Sequence, residues 1–261
     1  MNNTVTAEND GVRLSWDARG SGDPLLLVMG HRWSRRMWHP IIDELASKYR
    51  VIAFDNRGSG ESDTPPVGYS IHDMALDSLA VLWAAGERSA HVYGVSMGGV
   101  IAQELAITHP DSVDRLVLGC TAPITGDRWR LTRSRRMNYY IPDRVTNLIG
   151  RPLLYGTMST TPAIAKDWAV LAGEHTTRQG LLGQAQAVSD YQVDLEALRT
   201  LPHPTLVLHG GKDKVVPVAW GRELAELVPN SRAVVFDNAG HNYMATHAVQ
   251  SNAAVIEHLA A

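Results

Sequence analysis

Three side chains in this sequence, Ser96, Asp213 and His241, are of the types that carry out nucleophilic attack on a carbonyl. Ser96 is flanked by Gly94 and Gly98, which complete a G-x-S-x-G segment. Between a strand and a helix, such a segment makes a sharp turn that lifts the serine hydroxyl above a sheet, and the glycines avoid clashes that bulkier residues would cause. The turn also places the serine at a helix N-terminus, where a backbone N–H can point at a developing oxyanion. These residues predict a nucleophile at Ser96.

A serine at its ordinary pKa is a poor nucleophile, so it needs a base, and the base needs an orienting carboxylate. His241 is the predicted base because it follows the last predicted strand, and Asp213 is the predicted acid because it lies in the loop after the penultimate one. Asp194 and Asp237 are weaker alternatives, one in a segment without strands and the other only four residues before the histidine. His209 ends a predicted strand ahead of its loop and is interpreted as shaping the turn.

Short apolar runs alternate with longer amphipathic stretches around these residues, and this pattern is typical of a mostly parallel sheet covered by helices. The predicted strands are 12–16 (an edge strand), 25–29, 51–54, 92–95, 113–119, 205–209 and 233–236. The predicted helices are 37–49, 71–85, 100–108, 219–228 and 245–259. The fold class is therefore predicted as α/β, with the nucleophile directly after a buried strand.

The alternation stops between residues 123 and 200, where no strand-like run occurs. We interpret this stretch as a helical insertion, with residues 1–122 and 201–261 forming one α/β core. The insertion carries a cluster of arginines whose irregular spacing favours a solvated helix face over a site for acidic substrates: Arg128, Arg130, Arg133, Arg135 and Arg136. It also carries scattered aromatic residues, which either line an apolar pocket or form the core of the insertion itself.

Length and composition limit the remaining possibilities. The chain has 261 residues, enough for one large α/β domain, and a formal net charge of −3, which favours neither nucleic acid nor an anionic membrane as partner. The single cysteine, Cys120, ends a predicted buried strand and is interpreted as a packed thiol. Neither a signal peptide nor a membrane span is predicted, so a cytoplasmic location is expected. The oligomeric state stays open, a homodimer included.

Four segments resemble α/β-hydrolases related to 3-oxoadipate enol-lactonases and similar carboxylic ester hydrolases. They are residues 54–62 (FDNRGSGES), the Ser96 turn, the Asp213 loop and Gly240-His241. Together they extend from the first strands of the predicted sheet to the last and leave only the insertion unmatched. The resemblance implies an α/β-hydrolase fold in which the insertion forms a lid over Ser96, and in which residues 54–62 make a structural turn beside the site.

The resemblance also implies two backbone donors for the oxyanion, the N–H of Met97 and an N–H from the loop after the predicted strand 25–29. That loop departs from the usual His-Gly-X of the family, because the sequence here reads Met29-Gly30-His31. Aligning the glycines makes His31 the second donor through its main chain. Candidate substrate-binding residues lie near the pocket mouth and in the lid: Arg32, Trp33, Trp129, Tyr139 and Trp168.

The expected activity is hydrolysis of a small carboxylic ester or lactone through an acyl-enzyme, with neither metal nor organic cofactor. A carbon–carbon bond hydrolase of the meta-cleavage type uses the same three side chains and is the first alternative. A cofactor-free haloperoxidase or perhydrolase activity is a second, and a ligand-binding protein with little turnover is a third. Haloalkane dehalogenases and epoxide hydrolases are disfavoured because they carry aspartate at the position of Ser96.

Overall fold

The strands of the protein form one twisted sheet. The computed structural model describes residues 5–126, 154–157, 159–174 and 176–261, and eight strands lie within these ranges. They are β1 (Val5–Asn9), β2 (Val12–Arg19), β3 (Pro24–Val28), β4 (Arg50–Phe54), β5 (Ala90–Val95), β6 (Val113–Gly119), β7 (Thr205–Gly210) and β8 (Ser231–Phe236). Their order across the sheet is β1-β2-β4-β3-β5-β6-β7-β8.

The sheet is parallel from β4 to β8, and only β1 and β2 pair antiparallel with their neighbours. This arrangement confirms the predicted mostly parallel sheet. The prediction that strand 12–16 lies at the edge of the sheet is wrong. Strand β1 is the edge strand, and it pairs with β2 with Val5 opposite Trp16. The turn between the two strands has positive φ at Asp10 (49°) and Gly11 (70°), a conformation that aspartate and glycine favour in two-residue hairpins.

Helices cover both faces of the sheet. In the described residues they are α1 (Ile42–Ala46), α2 (Ile71–Ala84), α3 (Met97–Thr108), α4 (Pro162–Ala172), α5 (Arg178–Asp190), α6 (Leu195–Arg199), α7 (Val218–Leu227), α8 (Tyr243–Thr246) and α9 (Ala248–Ala260). Two predicted helices are divided. Where one helix is predicted over residues 37–49, the structure has a 3₁₀ turn at Arg35–Trp38 followed by α1. Pro40 lies between the two and cannot donate the backbone hydrogen bond that a continuous helix would need. The last helix is interrupted at His247, which has φ −132°.

The core is apolar on both faces of the sheet, and the central strand β5 is buried along its whole length. One buried cluster packs α2 and α3 against the sheet, while the other lies on the opposite face under α1 and α9. The loops that follow β5, β7 and β8 begin at the carboxyl ends of parallel strands, along one edge of the sheet. In open α/β sheets this edge is where ligands bind, and Ser96, Asp213 and His241 all lie there.

We call the described residues between β6 and α6, together with α6 itself, the insertion. They include residues 154–157 and the three helices α4, α5 and α6. The insertion rests directly on the core. Gly180 at the start of α5 approaches the loop after β4 so closely that a Cβ atom on it would lie 2.0 Å from the Gly58 carbonyl oxygen. Glycine is therefore needed at this contact. None of the helices in the described ranges has the length and apolar character to cross a membrane.

Candidate active site

The turn that carries Ser96 is strained and closely packed. Ser96 has φ 55° and ψ −120°, a backbone conformation that residues other than glycine rarely adopt. Strain of this kind is concentrated at functional sites. A Cβ atom on Gly94 would lie 2.2 Å from the Gly98 carbonyl oxygen, and one on Gly98 would lie 2.0 Å from the Val28 carbonyl oxygen. The two glycines therefore let α3 begin against β3 and β5, immediately after the serine.

The structure brings Ser96, His241 and Asp213 together in one hydrogen-bonded series. His241 Nε2 lies 3.1 Å from Ser96 Oγ, and His241 Nδ1 lies 2.8 Å from Asp213 Oδ2. Because an ionised carboxylate only accepts hydrogen bonds, the proton of the neutral ring is on Nδ1, and the lone pair on Nε2 faces the serine hydroxyl. The other oxygen of Asp213 accepts from the backbone N–H groups of Val215 and Val216, at 2.8 and 2.9 Å.

His209 has a role that the sequence analysis did not anticipate. Its Nε2 donates to the Val216 carbonyl oxygen at 3.0 Å and lies 3.3 Å from Asp213 Oδ2. A carbonyl oxygen only accepts, so this nitrogen carries the proton and points it toward the carboxylate as well. The interpretation of His209 as a turn residue is therefore incomplete, since it is a second imidazole beside the acid. The available signal was its position near the end of the strand, four residues before Asp213.

Burial and charge act in opposite directions on these groups. Burial alone would raise the pKa of the Asp213 carboxyl, but the imidazoles of His241 and His209 hold it well below its usual range. Burial likewise favours neutral His241, yet the charge of Asp213 and the neighbouring Cys120 raise the pKa of the imidazole well above its ordinary value. Cys120 is buried, as predicted, and it lies beside the ring. The site thus favours the imidazolium that forms when His241 accepts a proton.

Two backbone segments lie next to the Ser96 hydroxyl. Met97 is the first residue of α3, so its N–H has no acceptor within the helix. A Cβ atom on Gly30 would lie 3.1 Å from Ser96 Cβ, which places the main chain of Gly30 and His31 against the serine. The His31 ring is fixed by its Nε2, 3.1 Å from the Leu181 carbonyl oxygen, and burial lowers its pKa to about 4, so the ring is neutral at pH 7.

The loop that holds Gly30 and His31 is supported by the segment 54–62 and by the insertion. Asn56 Nδ2 donates to the Met29 carbonyl oxygen at 2.7 Å. Gln184 of α5 accepts from the Arg32 backbone N–H at 2.7 Å and donates to the Arg57 carbonyl oxygen at 2.8 Å. The predicted structural turn is thus in contact with the loop beside Ser96, and Gln184 joins both to the insertion.

A cavity of about 40 Å³ opens beside Ser96, and nearly all its described wall is apolar. Its described lining residues are His31, Ser96, Met97, Val100, Thr121, Ala122, Ile124, Val188, Val215, Val216 and Trp220. Trp220 was not among the predicted substrate-binding residues. Nothing in the local sequence distinguishes it from other residues of α7.

Three of the predicted substrate-binding residues, Arg32, Trp33 and Trp168, belong to the described part of the chain, and none of them is among the described lining residues of this cavity. Trp33 packs against the apolar cluster on the α1 and α9 face of the sheet, and Arg32 lies in the supported loop with φ 68°. Trp168 contacts Tyr155 edge to face, with ring centroids 6.3 Å apart, in a small core of the insertion. The prediction that Trp33 and Trp168 line the pocket is therefore corrected, because both are used in packing. Trp129, Tyr139 and the five arginines lie outside the described residues.

Known proteins share the fold of this chain. The family model for the alpha/beta hydrolase fold matches residues 23–248. The 2-hydroxymuconate semialdehyde hydrolase of Pseudomonas sp. (strain CF600) is 32% identical over 270 residues, covering 96% of this chain and 91% of that protein.

Two solved structures are similar over almost the whole chain. A thermophilic esterase from Thermogutta terrifontis is 27% identical, with a TM-score of 0.86 and 98% of each chain covered. A bromoperoxidase from Bacillus anthracis is 25% identical, with a TM-score of 0.84, and the match covers 99% of this chain and 100% of that chain. These relatives carry different activities on a common architecture. By the family model and by the relative at 32% identity, the chain belongs to the α/β-hydrolase fold family.

Proposed function

We propose that this protein is a serine hydrolase that cleaves a small carboxylic ester or lactone through an acyl-enzyme on Ser96. The observation that carries the proposal is the series from Ser96 Oγ to His241 Nε2 (3.1 Å) and from His241 Nδ1 to Asp213 (2.8 Å), beside an apolar cavity. Similarity to the Thermogutta terrifontis esterase supports an ester as substrate.

The reaction begins when the Ser96 hydroxyl attacks the substrate carbonyl carbon and His241 Nε2 takes its proton. Asp213 stabilises the imidazolium through the hydrogen bond to Nδ1. The negative charge that develops on the carbonyl oxygen is held by the backbone N–H groups of Met97 and His31.

The tetrahedral intermediate then collapses, and His241 gives its proton to the leaving alkoxide. Water then attacks the acyl-enzyme while His241 takes one of its protons. When this second intermediate collapses, the bond to Ser96 Oγ breaks, His241 gives the proton to that oxygen, and the carboxylic acid leaves. In this scheme the described residues require no cofactor, and the partner of the protein is a small molecule. The apolar wall beside Ser96 favours an uncharged acyl group.

Ser96→Ala tests the proposal with little disturbance of the fold, because alanine carries the same Cβ atom in the same strained conformation. Hydrolysis of p-nitrophenyl acetate and labelling by a fluorophosphonate probe are both expected to be lost, while the thermal midpoint stays close to that of the wild type. Ser78→Ala is the matched control, since Ser78 is also buried but lies within α2, where its hydroxyl donates to the Met74 carbonyl oxygen. Full activity in the Ser96 variant, or absence of labelling in the wild type, would refute the proposal. Absence of labelling would favour a binding protein instead.

Carbon–carbon bond hydrolysis is the second candidate, and similarity to the 2-hydroxymuconate semialdehyde hydrolase favours it. The same serine, histidine and aspartate serve that reaction, so the side chains at Ser96 do not separate the two. Turnover of a vinylogous diketone at a higher kcat/KM than that of p-nitrophenyl esters would establish this second candidate. Turnover of esters alone would support the first.

A further inference from the structure

A fully buried carboxylate, Asp167 of α4, lies in the insertion away from the cavity at Ser96. It accepts three hydrogen bonds, from His39 Nε2 at 3.0 Å, from the Tyr155 hydroxyl at 2.5 Å and from Asn242 Nδ2 at 2.6 Å. These donors come from the loop before α1, from the insertion and from the loop after β8. A polar side chain buried this completely is costly unless its hydrogen bonds are made within the protein, and these three donors make them.

One of the three donors directly follows the proposed base. Asn242 is buried, and its side-chain amide has only one orientation that suits a carboxylate, with the NH₂ group toward Asp167. The Asn242 backbone N–H also donates, to the Leu154 carbonyl oxygen at 2.6 Å. The residue after His241 is therefore held by the insertion through both its side chain and its main chain.

The residue before His241 touches the insertion as well. A Cβ atom on Gly240 would lie 2.3 Å from the backbone nitrogen of Gly156 and 2.5 Å from the Tyr155 carbonyl carbon. A Cβ atom on Gly156 would lie 2.9 Å from Cβ of Lys212, which precedes the acid Asp213. The main chain at residues 154–156 therefore packs between the loops of the base and of the acid, with no side chain at the closest contact.

We propose that Asp167 is a positioning residue for His241, acting through Asn242. The proposal rests on the proposed function, because it concerns the base of that reaction. Asp167 touches neither Ser96 nor the described wall of the cavity; it fixes the loop on which the imidazole is carried. Residues 154–156 and α4 are on this basis part of the catalytic geometry.

We call the hydrogen bond from Asn242 to Asp167 the link. The expected consequence of breaking it follows from the short distances between His241 and its partners Ser96 and Asp213. Displacement of the imidazole by about 1 Å costs on the order of 100-fold in rate, because the proton transfer between Ser96 and His241 needs a hydrogen-bonded geometry. Ground-state binding does not use His241, so the substrate affinity is preserved. Loss of the link should thus lower kcat about 10- to 100-fold and change KM less than about threefold.

The experiment uses the full chain with Asp167→Asn, Asn242→Ala and the double variant. Asparagine at 167 keeps the shape but replaces one acceptor oxygen by an NH₂ group, which faces a donor. Tyr191→Phe is the matched control, because the Tyr191 hydroxyl also ties the insertion to the core, through Glu104 at 2.8 Å, but does so away from the His241 loop. The measurements are kcat, KM, the rate of fluorophosphonate labelling and the downfield proton NMR signal of His241 Nδ1–H.

We expect both single variants to lose about 10- to 100-fold in kcat and in labelling rate. The double variant should be no slower than the slower single one, because both changes break the same link. The Nδ1–H signal should shift or broaden in each, while Tyr191→Phe stays within about twofold of the wild type. A folded Asp167→Asn with wild-type kcat and an unchanged signal would overturn the inference, as would multiplicative losses in the double variant.

If Asp167→Asn fails to fold, Asn242→Ala tests the same hydrogen bond by removing its donor. A wild-type kcat and an unchanged Nδ1–H signal in that variant would then overturn the inference. Failure of the proposed function has a different signature. In that case the wild type is neither labelled nor active, whereas the effect of the two variants on the Nδ1–H signal still reports whether Asp167 positions the ring.

Discussion

Replacement of Asp213 by asparagine changes one atom and reverses the direction of a hydrogen bond at the base. In the wild type one carboxylate oxygen accepts from the N–H groups of Val215 and Val216, and the other accepts from His241 and lies 3.3 Å from His209 Nε2. The amide oxygen of asparagine must take the first position, since two fixed backbone donors point there. Its NH₂ group then faces both imidazoles.

The magnitude follows from the tautomer that this geometry imposes. To avoid facing an N–H with an N–H, the His241 ring must carry its proton on Nε2, so that Nε2 can no longer accept the proton of Ser96. In a serine protease the corresponding change lowers kcat about 10⁴-fold, or about 5.4 kcal/mol in the barrier. A similar loss is expected here. His209 cannot avoid the conflict, because its Nε2 proton is held by the Val216 carbonyl oxygen, so a loss of about 1 to 3 kcal/mol in folding free energy should accompany it.

The assay is kcat for p-nitrophenyl acetate hydrolysis, together with urea unfolding of the same preparations. Asp237→Asn is the matched control: Asp237 is the carboxylate nearest to His241 in the sequence but is exposed, and its variant should keep activity within about twofold of the wild type. A folded Asp213→Asn variant whose kcat is within tenfold of the wild type would refute the assignment of Asp213 as the orienting acid.

Two further predictions concern the charges buried in the core. The pKa of His241 is raised, and the imidazole must be neutral to act as a base. We therefore expect kcat/KM to fall with decreasing pH, with a midpoint above the pKa of an ordinary histidine, about 6.5. A midpoint at or below about 6.5 would contradict the expected effect of Asp213. Asp77→Ala should lower the free energy of unfolding in urea by about 3 to 5 kcal/mol, because the buried guanidinium of Arg57 loses its two 2.6 Å hydrogen bonds, and a loss below about 1 kcal/mol would count against this.

The residues around Ser96 were predictable because their constraints are local. The G-x-S-x-G segment fixes a turn, and the chain order of acid and histidine follows from the order of the strands. The wrong predictions of secondary structure also have local causes. The pair Asp10-Gly11 is a typical hairpin signal and indicates a strand before it, which is β1. Pro40 argues against one continuous helix over residues 37–49.

The residues that support the site could not be predicted from their neighbours in the sequence. Asp167 is a polar residue in an amphipathic helix, a pattern typical of a solvated face, yet it is completely buried. Trp168 follows it; its aromatic side chain predicts a pocket residue, but in the structure the ring packs on Tyr155. The burial of Asp167 and the packing of Trp168 both depend on where the insertion lies on the sheet. That position depends in turn on contacts between residues far apart in the chain, such as Asp167 with Asn242.

The close contact of Gly180 with Gly58 has a consequence for how new specificity can be obtained on this scaffold. Together with the contact of Gly156 with Gly240, it means that, in the part of the chain that the structure describes, main chain of the insertion packs directly on main chain of the core at two places. A chimaera that exchanges the insertion with that of a relative should therefore be accepted only if the donor also has glycine at both junctions. Libraries that vary side chains of α5 facing the cavity, such as Val188, leave both junctions intact. Evolution by substitution within the insertion is on this account less demanding than evolution by exchange of the whole segment.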